Sequence, residues 1–109
     1  MDDPNRQLLA QLWAEHWSAP FPPRCRGVDI ENVELVLVDA DVAACVSVAL
    51  SRALDDWRRR VLTKCIGDLE RIMPHFEDEY EVEYFGRLHD MALALAALEG
   101  VEMKPRPSP

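Results

Sequence analysis

Hydrophobic residues repeat at helical spacing in three long segments of the chain, which we predict to be amphipathic helices. The clearest segment covers residues 54–76, where apolar positions recur every three or four residues and charged residues occupy the remaining positions. Residues 79–99 show the same period. A shorter helix is predicted over residues 4–17, and its apolar stripe consists of Leu8, Leu9, Leu12, Trp13 and Trp17.

Residues that commonly begin and end helices mark the limits of these segments. Asp2 or Asp3 is a suitable N-cap for the first helix, and Pro4 would then occupy its first position. Pro74 ends or kinks the helix that precedes it, because proline has no amide hydrogen to donate. Gly100 follows the last periodic residue, where helices often end with a glycine in the left-handed conformation.

Residues 33–38 are ambiguous, because their run of valine and leucine is typical of a strand. No other segment of the sequence suggests a pairing partner, and a lone strand is not stable. We therefore predict a helix over residues 40–52, with Asp39 or Asp41 as its N-cap, and a helical extension of it over residues 34–38. A strand paired across a dimer is the alternative for that extension.

Four helices with short links predict an all-α fold, a small irregular antiparallel four-helix bundle. Residues 1–100 would form its single domain. The connector at residues 19–27 is rich in proline, and we expect it to be an extended surface strap. Residues 101–109 have little to bury, so we expect a flexible, proline-rich C-terminal tail.

The charge balance of the chain narrows the classes of partner. Its 109 residues include 20 acidic and 12 basic side chains, which gives a formal net charge of −8. Proteins that bind nucleic acid usually present a positive surface to the phosphates. We therefore expect no nucleic acid and no membrane as a partner, whereas a basic protein suits this charge. The longest nearly uncharged stretch is also too short to span a bilayer.

The three cysteines are Cys25, Cys45 and Cys65, and their even spacing matches no metal-binding or redox motif. An odd number of cysteines and an acidic N-terminus without a secretory signal indicate free thiols in the cytoplasm. Cys45 and Cys65 fall on apolar helix faces, where cysteine acts as a small hydrophobic residue. We expect no metal and no cofactor.

The sequence Arg24-Cys25-Arg26 is the most reactive-looking element of the chain. Two guanidinium groups beside a thiol would lower its pKa and favour the thiolate. They would also suit a phosphate or a carboxylate, so Arg24, Cys25 and Arg26 are the candidate ligand-binding residues. The alternative is a solvated loop with a half-buried cysteine.

Three aromatic residues form a candidate interface at the start of the chain. Trp13 and Trp17 lie one helical turn apart, and Phe21 follows in the connector. Such residues most often anchor a core, but aromatic side chains also dominate the energetics of protein interfaces. We rank an interface at Trp13, Trp17 and Phe21 highest among the functional possibilities.

No group of residues has the spacing of a catalytic or metal-binding motif, and His16, His75 and His89 are isolated from one another. The leading hypothesis is a non-enzymatic interaction or regulatory protein of the cytoplasm, either a homodimer or the partner of a basic protein. The alternative is a protein that binds a small anionic ligand, or a minor enzyme, using the Arg24-Cys25-Arg26 loop.

Overall fold

The computed structural model describes residues 3–101, which form four α-helices and one small β-hairpin. This part of the chain is mostly helical, as the sequence predicted, and the hairpin is its departure from an all-α fold. Short 3-10 turns lie at Pro23–Cys25 and Met73–His75. The helices are α1 (Pro4–Ser18), α2 (Leu35–Ala49), α3 (Asp56–Ile72) and α4 (Glu79–Leu98), and the strands are β1 (Asp29–Ile30) and β2 (Val33–Glu34).

Aspartate side chains cap the N-termini of α1, α3 and α4. Asp3 accepts a hydrogen bond from a backbone N–H in the first turn of α1 at 2.9 Å, and Asp55 and Asp78 do the same for α3 and α4 at 2.8 and 3.0 Å. Each cap satisfies an amide that has no partner within its helix. Asp3 is therefore the cap of α1, whereas Asp2 lies outside the described residues. Leu54 precedes α3, because the cap at Asp55 fixes where that helix begins.

The structure resolves the ambiguity over residues 34–38. α2 begins at Leu35, so the predicted helical extension is present. The expectation that no pairing partner exists is wrong, because β2 pairs with β1 in an antiparallel hairpin. Glu31 and Asn32 form its turn with φ values of 52° and 64°, the left-handed pair that a two-residue hairpin turn needs. Strands of two residues are too short for an alternating pattern to reveal them.

Asp39 and Asp41 lie inside α2, so their prediction as N-caps is wrong. Glu34 occupies the N-cap position without a capping hydrogen bond from its side chain. The hairpin fixes the start of α2 instead, because the Leu35 N–H donates to the Val28 carbonyl at 3.1 Å. Both aspartates are thereby placed along the body of α2, where one meets α1 and the other faces α3.

α4 lies at the centre of the core and contacts the other three helices. α1 runs beside α4 in the opposite direction. Leu8 and Leu93 share a surface groove near one end of this pair, and at the other end the Tyr80 hydroxyl donates to the Pro20 carbonyl at 2.6 Å. The fully buried side chains of α4 include Phe85, Leu88, Met91 and Leu95.

The C-terminus of α4 is closed in the way that the sequence predicted. Gly100 has a φ of 67°, and the N–H groups of Gly100 and Val101 donate to the carbonyls of Ala97 and Ala96 at 3.3 and 2.8 Å. This pair of bonds is the Schellman motif, which satisfies carbonyls left free at a helix end. Val101 then packs against the core. The remainder of the predicted tail at 101–109 lies outside the described residues.

Candidate functional site

Trp17, near the C-terminal end of α1, is the most exposed large hydrophobic side chain in residues 3–101, with 78% of its surface accessible. Its ring centroid lies 5.6 Å from that of Trp13, with the rings tilted by 42°. α1 buries Leu9 and His16, and Trp13 packs only partly against the core. Successive helical residues are about 100° apart, so Trp17 lies beyond the buried face and projects into solvent.

Phe21, the third predicted interface residue, is half-buried in the connector. Its ring packs edge-on against Tyr84 and Phe85 of α4, with centroids 5.7 and 6.2 Å away. The Arg26 guanidinium lies over the Phe21 ring, 5.6 Å from its centroid. Phe21 therefore anchors the connector to α4. Of the three aromatic residues, Trp17 offers the largest free surface to a partner.

A buried polar cluster joins α1, α2 and α4. The Nε2 atom of His16 lies 2.8 Å from Oδ1 of Asp39, and the Tyr84 hydroxyl donates to the same oxygen at 3.1 Å. Burial, and then the negative charge and hydrogen bond of Asp39, raise the pKa of Tyr84, so its hydroxyl stays a proton donor. His16 and Tyr84 thus share the Asp39 carboxylate, and this network links α1, α2 and α4 at one point.

This cluster was missed by sequence reasoning, which treated His16 as isolated and Asp39 as a helix cap. A signal was present, because His16 follows Leu9 by seven residues and so belongs to the buried face of α1. Asp39 likewise interrupts a run of apolar residues in α2. Within residues 3–101 no group hydrogen-bonds Nδ1 of His16, which is buried.

The Arg24 side chain borders a surface cleft of about 560 Å³, lined in part by Cys25, Glu77, Asp78 and Glu81. Arg24 is ion-paired there: its guanidinium lies 3.1 Å from a Glu81 oxygen and 3.5 Å from an Asp78 oxygen. The cleft thus contains more carboxylates than guanidinium groups. The two arginines of the Arg24-Cys25-Arg26 sequence diverge, because the second stacks over Phe21.

The surroundings of Cys25 oppose the thiolate that two flanking guanidinium groups would favour. Burial raises the pKa of its thiol, the neighbouring Glu81 raises it further, and the lowering by Arg24 is smaller than either effect. Cys25 is therefore a neutral thiol, with 4% of its surface exposed. Anion binding by Arg24, Cys25 and Arg26 stays a prediction, and a rise in melting temperature with added phosphate would support it.

A second cleft, of about 440 Å³, lies between the hairpin, α2 and α3. We call it the α2–α3 groove. Its floor is apolar and includes the buried residues Val33, Val38 and Cys65. Burial, mainly, raises the pKa of Cys65 to about 12, so this thiol adds no charge to the floor. The polar lining is acidic and consists of Asp29, Glu34, Asp41 and Asp68, together with Asn32 and Lys64.

The remaining candidate residues are separate in the structure. Cys45 is fully buried and, like Cys65, acts as a hydrophobic core residue, as predicted. His75 lies 3.6 Å from Glu31, and His89 lies 3.2 Å from Glu70. In the described part of the chain, no three histidine, cysteine or acidic side chains come together in a way that would hold a metal ion.

Comparisons with known proteins add no further assignment: no family model, no curated protein and no solved structure matches this chain. Among the helices of residues 3–101, none is long and apolar enough to cross a membrane. The case for a function therefore depends on the surfaces described above.

Proposed function

We propose that this chain is a non-enzymatic interaction or regulatory protein of the cytoplasm, which binds a second copy of itself or a more basic protein. The observation that carries the proposal is the exposure of Trp17 at 78%. Its scaffold would be the small irregular antiparallel four-helix bundle expected from the sequence.

An exposed tryptophan favours an interface for an energetic reason. An aromatic side chain buries about 150–250 Å² when it is covered, and tryptophan is among the residues that most often dominate binding energy. The tilted contact with Trp13 supports Trp17 from one side, so less side-chain freedom is lost when a partner covers the other. Trp17 would therefore be the centre of the contact, with Trp13 as its support.

The surface charge favours a basic partner over nucleic acid or lipid. The cleft beside Arg24 and the α2–α3 groove each carry more acidic than basic side chains, and the whole chain has a formal net charge of −8. Charge of one sign accelerates encounter with a partner of the opposite sign. Self-association through Trp17 would need to keep these acidic surfaces apart.

The test compares Trp17→Ser with Leu50→Ser, a matched control at the end of α2 where the side chain is also exposed (55%). Size-exclusion chromatography with light scattering measures self-association, and affinity capture from host lysate measures binding of another protein. We expect a dimer or a captured protein with the native chain and the control, and its loss with Trp17→Ser. A strict monomer that captures nothing would contradict the proposal.

A further inference from the structure

We propose that the α2–α3 groove binds a protein segment in which lysine or arginine residues stand next to apolar residues. This inference deepens the proposed function, since it specifies the chemistry of a basic partner, but it uses a different surface from Trp17. It stands on the shape of the groove, its apolar floor and the sign of the charges at its rim.

The size of the groove suits side chains of a bound segment. Its volume of about 440 Å³ lies within the roughly 300–1,000 Å³ that is usual for ligand-binding clefts. The hairpin, α2 and α3 all contribute residues to its lining. Val33 and Val38 cover the floor with 5% and 3% of their surfaces exposed, so a side chain that enters meets packed apolar atoms.

The apolar surface continues beyond the groove along its rim. Leu37 on α2 lines the groove and is 53% exposed. Trp57 on α3 is 59% exposed and precedes Val61, another lining residue, by one helical turn on the same face. A partner that covered only the cleft would leave this track in water. The track therefore favours an extended protein segment over a small molecule.

The charges of the groove select a cation. Asp68 is already neutralised, because Lys64 and Arg71 lie 2.6 and 2.7 Å from its two oxygens. Asp29, Glu34 and Asp41 have no ion-pair partner within residues 3–101. Three free carboxylates around an apolar floor match a lysine or arginine, whose aliphatic stem packs on apolar surface while its charged end stays at a polar rim.

The test uses a fluorescein-labelled amphipathic peptide of lysine and leucine, and measures its fluorescence anisotropy against the full chain. Peptides with serine in place of leucine, or glutamate in place of lysine, separate the contributions of apolar contact and charge. Spermine serves as a competitor that carries the charge without a protein backbone. We expect the lysine–leucine peptide to bind at least about tenfold more tightly than either altered peptide.

Variants locate the binding surface. Glu34→Gln with Asp41→Asn removes two charges from the groove, and Glu15→Gln with Asp90→Asn removes two exposed charges on α1 and α4. We expect a loss of about tenfold or more for the groove pair and less than about threefold for the control pair. Equal losses would mean diffuse attraction to the net charge and would overturn the proposal.

Two further outcomes bear on the occupant. Leu37→Ala should weaken binding of the lysine–leucine peptide, whereas Leu50→Ala, at similar exposure, should not. If spermine bound as tightly as the peptide and displaced it, or if the peptide did not bind at all, a protein segment would be excluded as the ligand.

Trp17→Ser should bind the peptide normally. A failure of the groove with intact Trp17-dependent association would leave the proposed function standing, and the reverse result would leave the groove standing.

Discussion

The Tyr84 hydroxyl of α4 donates a hydrogen bond of 3.1 Å to the Asp39 carboxylate of α2. His16 of α1 contacts the same carboxylate oxygen at 2.8 Å, so one acidic side chain holds three helices. A buried polar group that loses its partner costs more free energy than the hydrogen bond itself contributed. Removing the shared acceptor of the cluster should therefore lower the free energy of unfolding by more than a single hydrogen bond contributes.

Asp39→Ala should lower the free energy of unfolding by about 2 kcal/mol, because it removes the acceptor that the imidazole and the phenol hydroxyl share and leaves them only their own 3.4 Å contact. Tyr84→Phe should cost about 1 kcal/mol, since it removes one donor and leaves the carboxylate with the other. Urea unfolding followed by circular dichroism measures both. The exposed Asp90→Asn should change stability by no more than about 0.5 kcal/mol. Native stability in Asp39→Ala would contradict this role for the cluster.

Stability should fall at alkaline pH because of the buried thiols. Cys65 has an ordinary pKa of 9.0 that burial raises to about 12 in the folded chain. Between these values the folded state binds more protons than the unfolded state, so the stability that the Cys65 thiol contributes is complete below pH 9 and is lost as the pH rises towards 12.

Urea unfolding at a series of pH values under reducing conditions measures this slope. Cys65→Ala should be less stable than the native chain at neutral pH, because it leaves a cavity. Its loss of stability above pH 9 should nevertheless be shallower. An unchanged slope in the variant would show that Cys65 is not responsible.

The helices, together with the limits of α1 and α4, followed from local rules, whereas the start of α2 and the contacts between helices did not. The period of apolar residues and the signals at Asp3, Pro4 and Gly100 are properties of neighbouring residues, so the sequence contains them. The partner of Glu81 is Arg24, 57 positions away along the chain, and no local pattern shows that they meet. The same limit applies to Cys25: its flanking arginines are visible in the sequence, whereas the burial and the Glu81 carboxylate that raise its pKa come from the tertiary structure.

Glu81→Gln should increase the reactivity of Cys25 towards iodoacetamide. The substitution removes a negative charge that raises the pKa of the thiol, while Arg24, which lowers the pKa, remains. Mass spectrometry of the modified native protein distinguishes Cys25 from Cys45 and Cys65. Glu83→Gln, at an exposed position on the same helix, is the control and should leave the rate unchanged. If Cys25 of the native chain reacted faster than in urea, its assignment as a neutral buried thiol would be wrong.

Replacing a glycine with alanine should have opposite effects on stability at Gly86, inside α4, and at Gly100, just after the C-terminus of α4. Gly100 has a φ of 67°, which a residue with a Cβ rarely adopts, whereas Gly86 lies inside α4. At both positions there is room for an added Cβ, because no atom from elsewhere in the fold lies within 4 Å of it. Gly100→Ala should therefore destabilise by about 1 kcal/mol through backbone strain, and Gly86→Ala should stabilise by about 0.5–1 kcal/mol by reducing the entropy of the unfolded chain. Thermal unfolding of the two variants measures the sign. Because neither site is crowded, a loss of stability at Gly86, or none at Gly100, would show that backbone conformation does not set the effect of alanine at these two positions.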